Sequence, residues 1–216
     1  SPMLKKITAS MVILAMIFAL AGCSSDEERP ALAAAAIPDN AQEGTYNGFT
    51  ASYDSEKWIF DSSVLNVFAI YDRETAEAGN QGTRCDYITV VDGGEYAEEL
   101  TEDDMATIEA QLENEGAEII SDELMDFEGS TVIFYESRIE LTDTMIDLYL
   151  DSGRITEEQI EEYGGRDELK ANGSSSQMGM AAVVDGHFVM VTGTYYADPS
   201  EILPAILVLI QTGQFD

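Results

Sequence analysis

The order of apolar and polar positions divides the chain into a short apolar leader, a polar stretch and a long patterned body. Ile7 to about Ala19 is a short, mainly apolar run that follows Lys5 and Lys6. Residues 24–43 have no apolar period: Ser24-Ser-Asp-Glu-Glu-Arg-Pro30 leads into an alanine-rich segment ending at Ile37-Pro38, which predicts a flexible tether. The body, residues 44–216, opens with runs rich in aromatic and β-branched residues at Thr45 to Tyr53, Lys57 to Phe60, Val64 to Tyr71 and Arg84 to Val91. Polar connections separate them, so four short antiparallel strands are expected. After Gly93-Gly94 the period changes. Met105, Ile108 and Leu112 fall on one helical face, Thr101 with Asp104 approximates a capping box, and Gly116 is a helix stop.

Strand patterning then returns. Ala117 to Phe127 and Ser130 to Leu141, joined by Glu128-Gly129, form one hairpin. Gln177 to Val184 and His187 to Tyr195 form a second across Asp185-Gly186, a dipeptide suited to the positive backbone angles of a tight turn. Between them lies an insertion, Thr142 to Ser176, with a helix expected from Thr156 to Tyr163 and ended by Gly164-Gly165. A last helix is expected near Asp198-Pro199-Ser200-Glu201, with aspartate as cap and proline in the first turn. Pro204 either kinks this helix or delays its start, and Ile202, Ile206, Leu209 and Ile210 would face the sheet. The order predicts one α+β domain, an antiparallel sheet covered by helices, with an insertion near 142–176.

The leader carries the clearest chemical signal. A basic start, a short apolar run and small residues before a cleavage point describe a secretory signal peptide, residues 1–22, too short to span a bilayer comfortably. Leu20-Ala21-Gly22-Cys23 resembles the lipobox of bacterial lipoproteins. That resemblance implies cleavage before Cys23 and a diacylglycerol on its thiol. The membrane would then be a partner through acyl chains, each buried methylene contributing about 0.8 kcal/mol. The other reading is an uncleaved N-terminal anchor helix. Either way the body is expected on the extracytoplasmic face of the cell membrane.

Charge narrows the partners. The chain carries 10 basic and 42 acidic residues, net −32, and loss of Lys5 and Lys6 would make it −34. Such a surface repels nucleic acid and anionic head groups, while a surface protein or a divalent cation remains an eligible partner. With Cys23 lipidated only Cys85 remains, so no intramolecular disulfide is expected. Cys85 lies in Arg84-Cys-Asp-Tyr-Ile-Thr-Val-Val91 and reads as a strand residue, not a nucleophile.

Catalytic chemistry finds little support. The single histidine, His187, directly follows the Asp-Gly turn and reads as an exposed hairpin residue. No glycine loop with a phosphate-binding lysine occurs. Asp143, Asp147 and Asp151, with Glu157 and Glu158, only loosely suggest a calcium loop. Placing Gly153 at the invariant glycine puts Leu148, Leu150 and Ser152 at the first ligand positions. No catalytic residue, metal ligand or cofactor is assigned. Trp58 is expected in the core.

Gly48-Phe49-Thr-Ala-Ser-Tyr53 followed by Trp58, together with the closing strand Val189 to Tyr195 and the helix after it, resembles the PsbP-like and Mog-like α/β/α sandwich group. It also resembles the lipoproteins of gut-type Firmicutes that carry such a domain. Asp54-Ser55-Glu56 stands where that group usually has a proline, and the insertion has no obvious counterpart there. The resemblance implies an accessory or binding module without catalysis. The rival reading is a cation-dependent or carboxylate-based cell-surface enzyme, which converging carboxylates would favour.

Overall fold

The computed structural model describes residues 29–80 and 84–216. Within them the α+β expectation holds. One large sheet takes eleven-residue, ten-residue and shorter strands in the order β1-β7-β8-β9-β10-β6-β5-β4, and a separate three-stranded sheet runs β11-β3-β2. In chain order the strands are β1 (Ala31–Leu32), β2 (Ala41–Tyr46), β3 (Phe49–Asp54), β4 (Trp58–Phe60), β5 (Phe68–Asp72), β6 (Tyr87–Glu95), β7 (Ala117–Phe127), β8 (Ser130–Ile139), β9 (Ser175–Val184), β10 (His187–Tyr195) and β11 (Gln214–Phe215). All pairings are antiparallel except β1 with β7.

Alternation on the central strands creates two cores. Val189 and Val191 of β10, Met178, Met180 and Ala182 of β9, and Phe68 and Ile70 of β5 point to one face. That face is covered by the last helix and the small sheet. The opposite face presents Met190, Ala181, Ile133 and Tyr135 to the first long helix, α1 (Glu102–Asn114). This helix begins as its sequence predicts, with the reciprocal Thr101 and Asp104 capping box, and ends at Gly116 (φ 89°).

The last helix, α5 (Ile202–Thr212), buries Ile202, Leu203, Ile206, Leu207, Val208 and Leu209. A helix apolar on nearly all sides belongs inside, and each such side chain contributes about 1.5–3 kcal/mol on burial. It starts three residues later than its sequence suggests, with Glu201 and not Asp198 at the cap position. Asp198 instead accepts hydrogen bonds from Ser200 N and Oγ at 2.9 and 3.0 Å, closing a turn. Pro204 lies in the first turn, where its missing N–H leaves no bond unmade.

Four other expectations change. The run Thr45 to Tyr53 is a hairpin: Asn47 (φ 52°) and Gly48 (φ 84°) turn the chain, and the pair β2–β3 leaves the main sheet to form the second one. Val64 and Leu65 are exposed in a turn, and β5 begins only at Phe68. Gly93 and Gly94 sit inside β6, where the register against β10 shifts between His187 and Val189. The stretch expected to be a tether is fastened from residue 29 onward. Arg29 Nη1 donates to Thr131 Oγ1 at 2.8 Å, Leu32 is buried in the core, and Ala35 exchanges hydrogen bonds with the Gln211 carboxamide at 2.8 and 2.9 Å. The signal peptide and Leu20, Ala21, Gly22 and Cys23 lie outside the described residues.

A candidate docking groove in the helical insertion

The insertion between β8 and β9 contains three short helices, not the one expected: α2 (Asp143–Asp151), α3 (Glu157–Glu162) and α4 (Arg166–Gly173). Threonines start two of them. Thr142 Oγ1 accepts from Met145 N at 3.3 Å, and Thr156 forms a capping box with Gln159. Gly164 (φ 98°) and Gly165 (φ 103°) then reverse the chain from α3 into α4, backbone angles that glycine adopts without strain. Ser174 Oγ accepts from Leu141 N at 3.4 Å and donates to Lys170 O at 2.9 Å, which closes the neck of the insertion.

Charge pairs hold α4 to α2. Arg166 Nη2 lies 2.7 Å from Asp147 Oδ1, and Lys170 Nζ lies 3.0 Å from Asp143 Oδ2. The Lys170 ammonium, with Arg166 beside it, holds the Asp143 carboxyl below its ordinary pKa, and Asp143 in turn raises Lys170. Two of the carboxylates singled out for a calcium loop are therefore occupied with cationic side chains. Among the described residues, no three histidine, cysteine, aspartate or glutamate side chains converge as metal ligands.

Inside this frame Ile146 and Ile160 are buried, yet the three helices do not close over their own apolar side chains. A groove of about 300 Å³ opens between them, lined by Leu141, Ile146, Tyr149, Ile155, Tyr163 and Leu169, with Arg154 at the edge. Arg154 stacks over Tyr149 at 5.8 Å from the ring centre, and Tyr163 is 47% exposed. The sequence delimits the insertion but does not show the groove. The missed signal was the three-residue spacing of Ile146 and Tyr149 on α2, with Tyr163 closing α3.

The other candidate residues fall into structural roles. Trp58 is 2% exposed, within the larger core. Cys85 precedes β6 instead of lying in it. Its thiol donates to the carbonyls of Asp72 and Asp86 at 3.8 and 3.5 Å, and burial pushes its pKa up to about 11. Asp72 is nearly buried beside it. Burial would raise its pKa, but hydrogen bonds from Thr75 and from Lys57 at 2.9 Å outweigh that and hold it low. Asp86 shows the opposite balance: burial raises it, and the single bond from Tyr196 N at 3.0 Å does not compensate. His187 is part-buried, its ring stacked on Phe215 with centroids 3.8 Å apart and Nδ1 3.2 Å from Asp92 Oδ1.

A second concavity, about 210 Å³, lies on the sheet face that α1 leaves open. Thr89, Thr192 and Thr194 form part of its floor, beside Tyr87 and Gln177. At its edge Tyr135 lies across Gly179, which is directly opposite in the ladder, and its hydroxyl is hydrogen-bonded to Thr192 Oγ1. Complete burial pushes the Tyr135 phenol up to about 12. The arrangement fills the space left by the glycine and is a packing device; Glu115 is the one charged residue that lines the concavity.

No protein-family profile matches this sequence, and no curated protein matches it. Among solved structures, the solution structure of cyanobacterial PsbP (CyanoP) from Synechocystis is similar with a TM-score of 0.45 and 12% identity, covering 92% of this chain and 99% of that one.

Proposed function

We propose that this protein is an extracytoplasmic lipoprotein, held at the membrane through Cys23, whose domain binds a macromolecular partner without catalysing a reaction. The open apolar groove of the insertion carries this reading. The Leu, Ile and Phe side chains of the two cores find partners in α1, α5 or the small sheet, whereas Tyr149, Ile155, Tyr163 and Leu169 line a groove open to solvent. Among the described residues no three acidic side chains converge as ligands, the arrangement that a cation-dependent enzyme would use. Among the described residues no helix is long and apolar enough to cross a membrane, so in this reading attachment rests on the lipid.

Two experiments test the proposal. Cys23→Ala should remove the acyl mass from the N-terminal peptide and release the protein from the membrane fraction. Unchanged retention with an uncleaved N-terminus would establish the anchor helix instead. For binding, a photo-reactive residue at position 163 should give a discrete adduct on intact cells that the same residue at exposed Glu128 does not give. Absence of any adduct specific to position 163 would overturn the docking role.

A further inference from the structure

We infer that the segment received by the insertion groove is a cationic amphipathic helix, an inference that rests on the docking role just proposed. The first argument is the groove's shape and lining. About 300 Å³ bounded by six apolar or aromatic residues accommodates a few large aliphatic side chains, the number that an amphipathic helix presents at i, i+3 and i+4.

The second argument is charge. Residues 142–176 contain nine acids and three basic residues. Arg166 and Lys170 are taken up by Asp143, Asp147 and Asp167, and among the described residues no ion pair reaches Glu157, Glu158, Glu161, Glu162 or Glu168. The helix α3, whose C-terminal neighbour Tyr163 lines the groove, thus carries exposed carboxylates that no ion pair compensates. Lysines and arginines bordering an apolar stripe meet those carboxylates favourably, and the association is screened by salt. A second copy of this chain would bring another strongly acidic surface, net −32, against it, and anionic lipid is repelled for the same reason. Arg154 is the single cation on the groove edge, so the partner's charges lie toward α3 and away from it.

The test uses a labelled, amidated peptide of about 14 residues, four helical turns, with leucine on one face and lysine on the other. Anisotropy is read with the full-length protein and with residues 23–216, which retain every described element. Saturable binding is expected in both forms. Tyr163→Ala should weaken it about tenfold, a typical loss for a central aromatic anchor. Joint replacement of Glu157, Glu158, Glu161 and Glu162 by Gln should weaken it and flatten its salt dependence. Arg154→Ala should strengthen it. These positions are exposed, and Trp58 fluorescence confirms the fold of each variant.

Equal binding of a peptide with serine in place of leucine overturns the inference, as does indifference to Tyr163→Ala, since either marks a generic acidic surface. Binding confined to residues 23–216 identifies the chain's own leader, Lys5-Lys6 and Ile7 to Ala19, as the occupant. Anisotropy that falls again at high protein concentration, as the protein dimerises, identifies a second copy as the occupant. If the peptide fails while the adduct at position 163 persists, the docking role stands and the cationic helix does not.

Discussion

Replacing Gly179 with alanine isolates one contact that the fold cannot relax easily. A β-carbon there would overlap the hydroxyl end of the Tyr135 ring, 2.7 Å from Cε2 and closer still to Cζ and Oη. Tyr135 is completely buried, and its hydroxyl partner is Thr192 on the strand beyond. Overfilling a packed site costs about 1–3 kcal/mol, and displacing the phenol loses a buried hydrogen bond worth about 0.5–1.5 kcal/mol. The expected loss is about 2–4 kcal/mol, or about 5–15 °C in Tm for a domain of this size. Urea unfolding followed by Trp58, the chain's one tryptophan and a buried one, measures it directly. The decisive arm is a double-mutant cycle. Tyr135→Ala alone should cost about 3–5 kcal/mol, and in that background Gly179→Ala should become nearly neutral because its methyl enters vacated space. The same cost in both backgrounds would refute the steric argument and point to backbone effects of the glycine itself.

Three further predictions concern the cluster around β5. Cys85 should resist iodoacetamide in the folded protein at neutral pH and react once urea unfolds it, because burial disfavours the thiolate; rapid native labelling would contradict that environment. Asp86→Asn should raise Tm at pH 7, since the buried carboxyl's raised pKa means that its ionised form destabilises the fold, and asparagine can still accept the Tyr196 N–H. The gain should shrink as pH falls through the folded pKa and vanish below the unfolded value of about 3.8, when both states hold the proton. Asp72→Asn should do the reverse. Its lowered pKa contributes stability above the unfolded value and loses it as pH falls through the folded one, so the variant should be less stable at pH 7 with a deficit that closes in acid.

The hairpins at Glu128-Gly129 and Asp185-Gly186 were legible because alternation stops on both sides of a dipeptide that favours positive φ. Asn47-Gly48 has the same chemistry, but apolar residues continue across it, and the run read as one strand. Nothing local distinguishes Val64 and Leu65 from strand residues. They are exposed because Asp61 turns the backbone through Ser63 and Asn66 adopts φ 53°. The helices α2 and α4 were hidden by acidic and mixed sequence whose stability comes from pairs between the two, Arg166 with Asp147 and Lys170 with Asp143, and not from either alone. The alanine-rich stretch shows no period because, beyond Arg29 and the single buried Leu32, its attachment uses backbone groups, at Pro30 and Ala35, to which side-chain pattern is blind. The groove itself was illegible for a related reason: it exists only where three helices fail to cover one another.

The mutual clasp of Ala35 and Gln211, 176 residues apart, sets the order in which the protein can come into being. A nascent chain that has reached residue 201 owns every strand of the larger sheet but not α5, the piece around which its main core condenses. Nor does it own β11, which completes the second sheet by pairing with β3. Such distant closures make folding slow and late. A polypeptide built this way remains threadable for as long as it is being made, which suits one that must pass through a bilayer before it folds, as the proposed export route requires.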